Sequence, residues 1–390
     1  MPPAPRIALI LSGGGARAAY QAGVARAISE FLPAGRASPF AIICGTSAGA
    51  INAASLAAGA RDFRLAAKSL CGIWSRLAVG DIYRADPAHL LQTAWRIVRS
   101  VLPRADRKRL VGLLDNTPLA RLLEREIDFP AIGESIAAGA LEALTITASS
   151  YQTGMSVSFC MGGPKMELWE RSQRIGVRAA IGVPHLLASS AIPVVFPPTL
   201  IGTEYYGDGA IRQMAPTAPA LHLGADRILV VGAARTGTPT APGESVDPPS
   251  LAQIGSHVLA SIFTDALGTD LEKVRLVNIA VRQIDPARLG MSPMPLRDIA
   301  MLVLTPSVPL ENIAQDYLDG LPPSLRLALR GIGGTRAGGE GLLSYLLFDS
   351  GFCSALIELG HRDALAKRVE LEQLLAGSYA ATGSTSTRQS

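Results

Sequence analysis

Gly45-Thr46-Ser47-Ala48-Gly49 matches Gly-x-Ser-x-Gly, between an apolar run at Ala41–Cys44 and a helix-compatible stretch at Ala50–Ala58. In a sharp strand-to-helix turn, small residues on both sides of a serine avoid clashes and leave its Oγ exposed for nucleophilic attack. The plain alternative is a glycine-rich helix cap with Ser47 as a spectator. A second signal is Ser12-Gly13-Gly14-Gly15-Ala16-Arg17, set between a short apolar run and a helical pattern. Consecutive glycines let backbone N–H groups converge, and a following helix adds positive potential. Such a loop can hold a phosphate or the oxyanion of a tetrahedral acyl intermediate. A dinucleotide site asks for Gly-x-Gly-x-x-Gly and an acidic residue at the end of the next strand. The chain offers Ala18 at the last glycine and Cys44-Gly45-Thr46-Ser47 at that strand end, which disfavours a nucleotide.

A nucleophilic serine needs a base, and none of the histidines (His89, His185, His222, His257, His361) has a catalytic setting. His222 sits on an apolar helix face and reads as a hydrogen-bonded core residue. His185 follows Pro184 at a helix start and reads as a capping or packing residue. The better base is Asp208 in Tyr205-Tyr206-Gly207-Asp208-Gly209-Ala210, where glycines let the aspartate backbone approach a neighbour closely. Taken alone, Asp-Gly reads as an ordinary tight turn. No His/Cys/Asp/Glu group has metal-ligand spacing, so neither metal nor cofactor is expected.

Elements that would position these residues follow from the pattern. Arg6–Leu11 and Pro39–Cys44 read as buried strands, Arg17–Phe31 and Ala48–Ala58 as helices. This alternation predicts a doubly wound α/β/α sheet. From Arg61 to Leu141 the pattern is mainly helical, broken at Pro87, Pro103, Pro118 and Pro130, and reads as an insertion or cap. Further strands are predicted at Ala143–Ser149, Met155–Cys160, Thr203–Tyr206, Arg227–Val231 and Met301–Leu304. Ala234–Ser250 reads as a surface loop and Gly331–Gly341 as a connector. The expected organisation is a catalytic domain over 1–310 with its helical insertion at about 61–141, a C-terminal helical extension at 311–376 and a disordered tail at 377–390.

The chain has 390 residues, a net charge of +4, 48% hydrophobic and 17% charged residues, which excludes a mainly disordered chain. No aromatic-interleaved basic stripe accompanies the charge, so nucleic acid is not an expected partner. Cys44, Cys71, Cys160 and Cys353 form no Cys-x-x-Cys pair and read as buried thiols of a reducing compartment. The N-terminal apolar run ends at once in glycines, too short for a secretory leader, and no run nears the roughly 20 apolar residues of a membrane span. A cytoplasmic location follows, with peripheral membrane contact open. Leu91, Trp95, Val98 and Leu102 at helical spacing, with basic residues through Arg109, make 90–109 either a lipid-headgroup contact or a surface helix packed on the core. Oligomeric state is not legible.

Together Gly13-Gly14-Gly15-Ala16-Arg17, Gly45–Gly49 and Asp208-Gly209-Ala210, in that order, resemble the motifs of the patatin-like phospholipases. Ala188–Pro198 resembles the segment that precedes the catalytic aspartate in that family. The likeness runs from about Arg6 to Val231. It implies a patatin-like sheet, a metal-free Ser–Asp dyad of Ser47 and Asp208, and an oxyanion hole of the Gly13, Gly14 and Gly15 N–H groups. Arg17, Gly45, Gly49, Gly209 and Ala210 support these motifs, and Arg17 would steady the loop or meet a lipid phosphate. Ala18 departs from the family's glycine, beyond the oxyanion donors. The implied activity is that of a serine esterase, of phospholipase A or lysophospholipase type, on a lipid or lysolipid. Acyl transfer at the same site, or a non-catalytic lipid- or nucleotide-binding module, are the alternatives.

Overall fold

The computed structural model describes residues 5–84, 112–234, 248, 250–285, 296–323, 326–327 and 340–376. Its centre is a run of parallel strands: β1 (Ile7–Leu11), β2 (Ile42–Thr46) and β3 (Ala143–Ser150). Every residue of the three is buried; β1 is accordingly apolar throughout, while β3 carries buried Thr and Ser residues toward the site. Helix α1 (Ala19–Glu30) links β1 to β2. Among the described residues, five helices return the chain from β2 to β3: α2 (Ala48–Ala58), α3 (Phe63–Ser75), α4 (Val79–Ile82), α5 (Thr117–Glu126) and α6 (Phe129–Ala137). Asp62 and Asp128 accept from Leu65 N–H and Ala131 N–H and so cap α3 and α6.

Beyond β3 the sheet turns mixed. β4 (Ser156–Gly162) pairs antiparallel with β3, β5 (Glu170–Arg171) and β6 (Arg174–Arg178) extend that edge, and α7 (Val183–Ser189) leads to the hairpin β7 (Thr199–Ile201) and β8 (Glu204–Asp208). After α8 (Ala218–His222) the chain crosses back to β9 (Arg227–Val231), parallel to β1, then runs through α9 (Leu251–Ala260) and α10 (Ala266–Gln283) to the edge strand β10 (Ala300–Leu304). The order is β10-β9-β1-β2-β3-β4-β6-β5, with β8 on β3 and β7 on β8. The chain ends in α11 (Leu310–Gln315), α12 (Glu340–Leu346), α13 (Ser350–Ala366) and α14 (Arg368–Ala376).

Helices cover both faces. On one, Leu9, Leu11 and Ile43 join Tyr20 and Ile28 of α1, Leu56 of α2, Leu70 of α3 and Phe352 and Leu356 of α13 in the main core. On the other, Ala8, Ile10, Ile42 and Cys44 meet Leu267, Leu271 and Val274 of α10. The fold is therefore α/β with a sheet between helical layers, as the alternation predicts. The mixed edge at β4–β8 was not part of that expectation, because antiparallel pairing is set by which strand meets which and leaves no period of its own. The described parts of 61–141 are helical. The stretch 90–109, His89, most of Ala234–Ser250 and Gly331–Gly341, and the tail from 377 lie outside the described residues. Among the described residues no helix is long and apolar enough to cross a membrane.

Candidate active site

β3 is longer than β2, and that mismatch builds the site. β2 pairs along β3 as far as Thr46 opposite Thr147. From Ala148 onward the same edge of β3 is taken by β8, with Asp208 opposite Ala148. The C-terminal ends of β2 and β8 therefore meet head-on, and the Ser47 Oγ donates to the Asp208 Oδ2 at 2.6 Å. Ser47 adopts φ 56°, ψ −130°, a left-handed conformation costing a non-glycine residue about 1–3 kcal/mol. Its surroundings hold it there. The Ser47 N–H donates to the Ser189 Oγ (2.9 Å), the Ser189 hydroxyl donates to the Thr147 carbonyl (2.6 Å), and Ala50 N–H donates to the Ser47 carbonyl to start α2 (2.8 Å). Gly49 lets α2 lie against the end of β1, since a Cβ there would collide with the Leu11 and Ser12 carbonyls.

Asp208 is 1% exposed. Its Oδ1 accepts from Ala210 N–H (2.9 Å), its carbonyl from the Ser149 hydroxyl (2.8 Å), and its N–H donates to the Ala191 carbonyl (2.9 Å). Burial pushes its carboxyl up to about 7, against the hydrogen bonds from Ser47 and Ala210 that favour the anion. A carboxylate of that basicity can accept a hydroxyl proton near neutral pH.

The glycine loop lies beside Ser47. A Cβ on Gly13 would stand 3.0 Å from the Ser47 Cβ and 2.6 Å from the Phe263 ring. The Gly13, Gly14 and Gly15 N–H groups donate to no other group among the described residues. Behind the loop, Gln21 Nε2 donates to the Ser12 and Val231 carbonyls (2.8 and 3.1 Å), and Asn52 Nδ2 donates to the Ala18 carbonyl (3.0 Å) and Gln21 Oε1 (2.9 Å). Ala18 itself is fully buried. Arg17 turns away from the serine: it donates to the Ser344 Oγ (2.8 Å), the Tyr345 hydroxyl (3.3 Å) and the Gly341 carbonyl (3.2 Å), and lies over the Tyr345 ring at 4.0 Å. It therefore ties the loop to α12.

Gly15 and Ser47 open onto an apolar cavity walled by Ile51, Leu70, Trp74, Leu122, Phe196 and Phe348, with Leu346 and Tyr345 closing one side. The described histidines stand apart from the serine's hydrogen bonds. His185 caps α7, accepting from Gly182 N–H at 3.1 Å, and packs edge-on against Phe159. His222 stacks on Trp169 at 5.0 Å and makes, among the described residues, none of the hydrogen bonds expected of it; burial with nearby Arg171 and Arg174 lowers it to about 4. His361 pairs with Glu30 at 2.9 Å, and His257 is exposed. Motif reading gave no role to Ser189, Thr147 or Tyr345. Ser189 stood inside the quoted Ala188–Pro198 stretch, whereas Thr147 and Tyr345 carry no local signal.

This arrangement defines an α/β protein built around a serine in a strand-to-helix turn and a buried carboxylate. Over residues 9–221, more than half of its length, the sequence matches the patatin-like phospholipases, and the chain belongs to that family of lipid hydrolases. No curated protein is similar enough in sequence to count as a match. Among solved structures it is similar to VipD from Legionella pneumophila, at 13% identity and TM-score 0.37 over 96% of this chain and 67% of that one. It is also similar to human GIVD cytosolic phospholipase A2 in complex with methyl gamma-linolenyl fluorophosphonate, at 13% identity and TM-score 0.44, over 96% of this chain and 59% of that one. The chain thus spans under two thirds of the human enzyme's chain.

Proposed function

We propose that this chain hydrolyses fatty acyl esters of phospholipids or lysophospholipids through an acyl-Ser47 intermediate on a Ser47–Asp208 dyad. The observation that carries the reading is the 2.6 Å bond from Ser47 Oγ to Asp208 Oδ2 at the head of an apolar cavity. In the first half-reaction the Ser47 Oγ bonds to the ester carbonyl carbon as its proton passes to Asp208. Negative charge gathers on the carbonyl oxygen, where the Gly13–Gly15 N–H groups would meet it; preorganised donors of this kind contribute about 10²–10³-fold each. Collapse breaks the bond to the alcohol, which leaves with the proton from Asp208. Water then gives a proton to Asp208, attacks the acyl carbon, and releases the fatty acid as Ser47 regains its hydrogen. The apolar walls suit an acyl chain, and Arg17, committed to α12, suits loop support better than phosphate contact.

Labelling with a fluorophosphonate tests the assignment. The probe should modify wild type at Ser47, leave Ser47→Ala unmarked, and react far more slowly with Asp208→Asn. Undiminished labelling of folded Ser47→Ala would remove Ser47 from its role.

A further inference from the structure

We propose that a polar cleft on the sheet face away from the main core binds a phosphate group, either free as a small phosphate ester or on a lipid headgroup. The first observation is the pattern of β4. Val157 and Phe159 join the main core, while Ser156 and Ser158 alternate to the opposite face. There α10 covers β1 and β2 with leucine and valine, but over β4 and β6 apolar cover gives way to a cleft of about 380 Å³. Ser156, Ser158, Arg174, Arg212, Asp270 and Lys273 line it. A strand that presents two serines to a covered face, where valine or leucine would pack, lines that face with hydroxyls: the Ser158 Oγ pairs with the Thr147 Oγ1 at 3.2 Å, and the Ser156 hydroxyl is left for a polar occupant.

The second observation is the charge. Arg174, Arg212 and Lys273 form no ion pair among the described residues, and the Arg174 Nε–H is buried with no hydrogen-bond partner. A buried guanidinium donor without an acceptor is costly unless a ligand supplies one. Asp270 is the one carboxylate in this lining; it lies near enough to Lys273 and Arg174 to be favoured as an anion by both, but forms no ion pair within 4 Å with either, and its Oδ2 accepts from the Thr217 N–H (2.8 Å) and Oγ1–H (2.6 Å). Positive charge therefore exceeds negative in the cleft even with Asp270 ionised. Two arginine forks, a lysine point charge and the Ser156 hydroxyl match a phosphate dianion, whose three oxygens accept from several donors at once. The volume exceeds that of a bare ion and falls in the range of small-molecule sites, leaving room for a glycerol- or sugar-sized group against the Trp169 ring.

The cleft lies behind the dyad. Gln213, at its border, accepts from the Thr46 Oγ1–H (2.8 Å) and donates to the Thr147 Oγ1 (3.3 Å), so one side chain separates it from the residue preceding Ser47.

Calorimetric titration of the full chain with inorganic phosphate and with glycerol phosphate, against chloride at equal ionic strength, tests the site. Saturable binding is expected in wild type, roughly 10- to 100-fold weaker in Arg174→Gln and in the surface variant Lys273→Gln. Arg174→Lys should fall between. Co-sedimentation with vesicles of phosphatidic acid in phosphatidylcholine separates the sources. Loss of vesicle binding in Lys273→Gln assigns the cleft to a headgroup; unchanged vesicle binding with lost glycerol phosphate binding assigns it to a free ester. Absence of saturable binding in wild type, or wild-type affinity in both folded glutamine variants, would overturn the proposal. No readout involves ester cleavage, so Ser47→Ala protein serves equally and the result stands apart from the hydrolase reading.

Discussion

Asp208 must be ionised to take a proton, and burial, outweighing the hydrogen bonds from Ser47 and Ala210, raises its carboxyl to about 7. If it is the base, kcat/KM on a soluble short-chain ester rises with unit slope below about pH 7 and levels off above it. The same shift has a consequence for stability. An unfolded aspartate titrates near pH 3.9, so between about pH 4 and 7 the folded chain keeps a proton that the unfolded chain has released. Stability from the neutral carboxyl is thus fully present below about pH 4 and lost as pH rises through about 7. Asp208→Asn should therefore lose about 10⁴-fold or more in kcat, nearly as much as Ser47→Ala, because members of one catalytic unit do not add. At pH 8 it should also be more stable than wild type, a gain that fades toward pH 4. Thermal melts across that range, beside the pH–rate profile, check both signs.

At the scale of elements, the site depends on how strand ends and a loop are held. Ser189 on α7 is the clamp: its hydroxyl accepts from Ser47 N–H and donates to the Thr147 carbonyl. Ser189→Ala leaves a buried N–H without an acceptor at a strained turn. A loss of about 1–3 kcal/mol in stability and a fall in kcat are expected, read by denaturant unfolding and steady-state kinetics. The glycine loop is held from the far side by Phe263, which stacks on Tyr345 at 5.4 Å. In Gly13→Ala the new methyl would press on both the Phe263 ring and the Ser47 Cβ, so the loop must move. If its N–H groups serve the transition state, kcat should drop about 10²-fold while KM changes little.

The whole molecule contributes a wall that the family segment lacks. Residues 9–221 match the family, yet Tyr345, Leu346 and Phe348 border the cavity that Ser47 opens onto. Phe348 stacks on Trp74 at 6.3 Å and meets Tyr83 edge-on at 6.2 Å, while the Tyr83 hydroxyl donates to the Leu346 carbonyl at 2.9 Å. Helix α13 lies along α1 and keeps this wall in place. If the cavity takes the acyl chain, Phe348→Ala opens space beside Trp74 and should shift preference toward longer chains, by roughly tenfold in the ratio of kcat/KM values. A panel of p-nitrophenyl esters of increasing length gives that ratio; an unchanged ratio would move the chain elsewhere. Truncation before Glu340 should cost both folding and turnover.

The turn around Ser47, the glycine loop and the buried strands beside them were legible because each is local. Small residues permit a left-handed serine wherever a strand turns sharply into a helix, and the helix predicted at Ala48–Ala58 is the one observed. The motif order of Gly13–Arg17, Gly45–Gly49 and Asp208–Ala210 also sufficed to identify the family. What no window of sequence held is the meeting of Ser47 with a residue 161 positions away. That contact exists because β3 outlasts β2 and accepts β8 on the remaining edge, a choice of strand neighbours and not of residue period. Alone, Asp-Gly at 208–209 reads as a turn; burial by the surrounding chain is what changes its carboxyl. Arg17 shows the same division, since its type favoured loop support over a phosphate but named no partner, and only the docking of α12 supplied its partners. Local rules fix backbone and exposure to the next few residues, whereas acidity and partnership depend on which distant surface excludes the water.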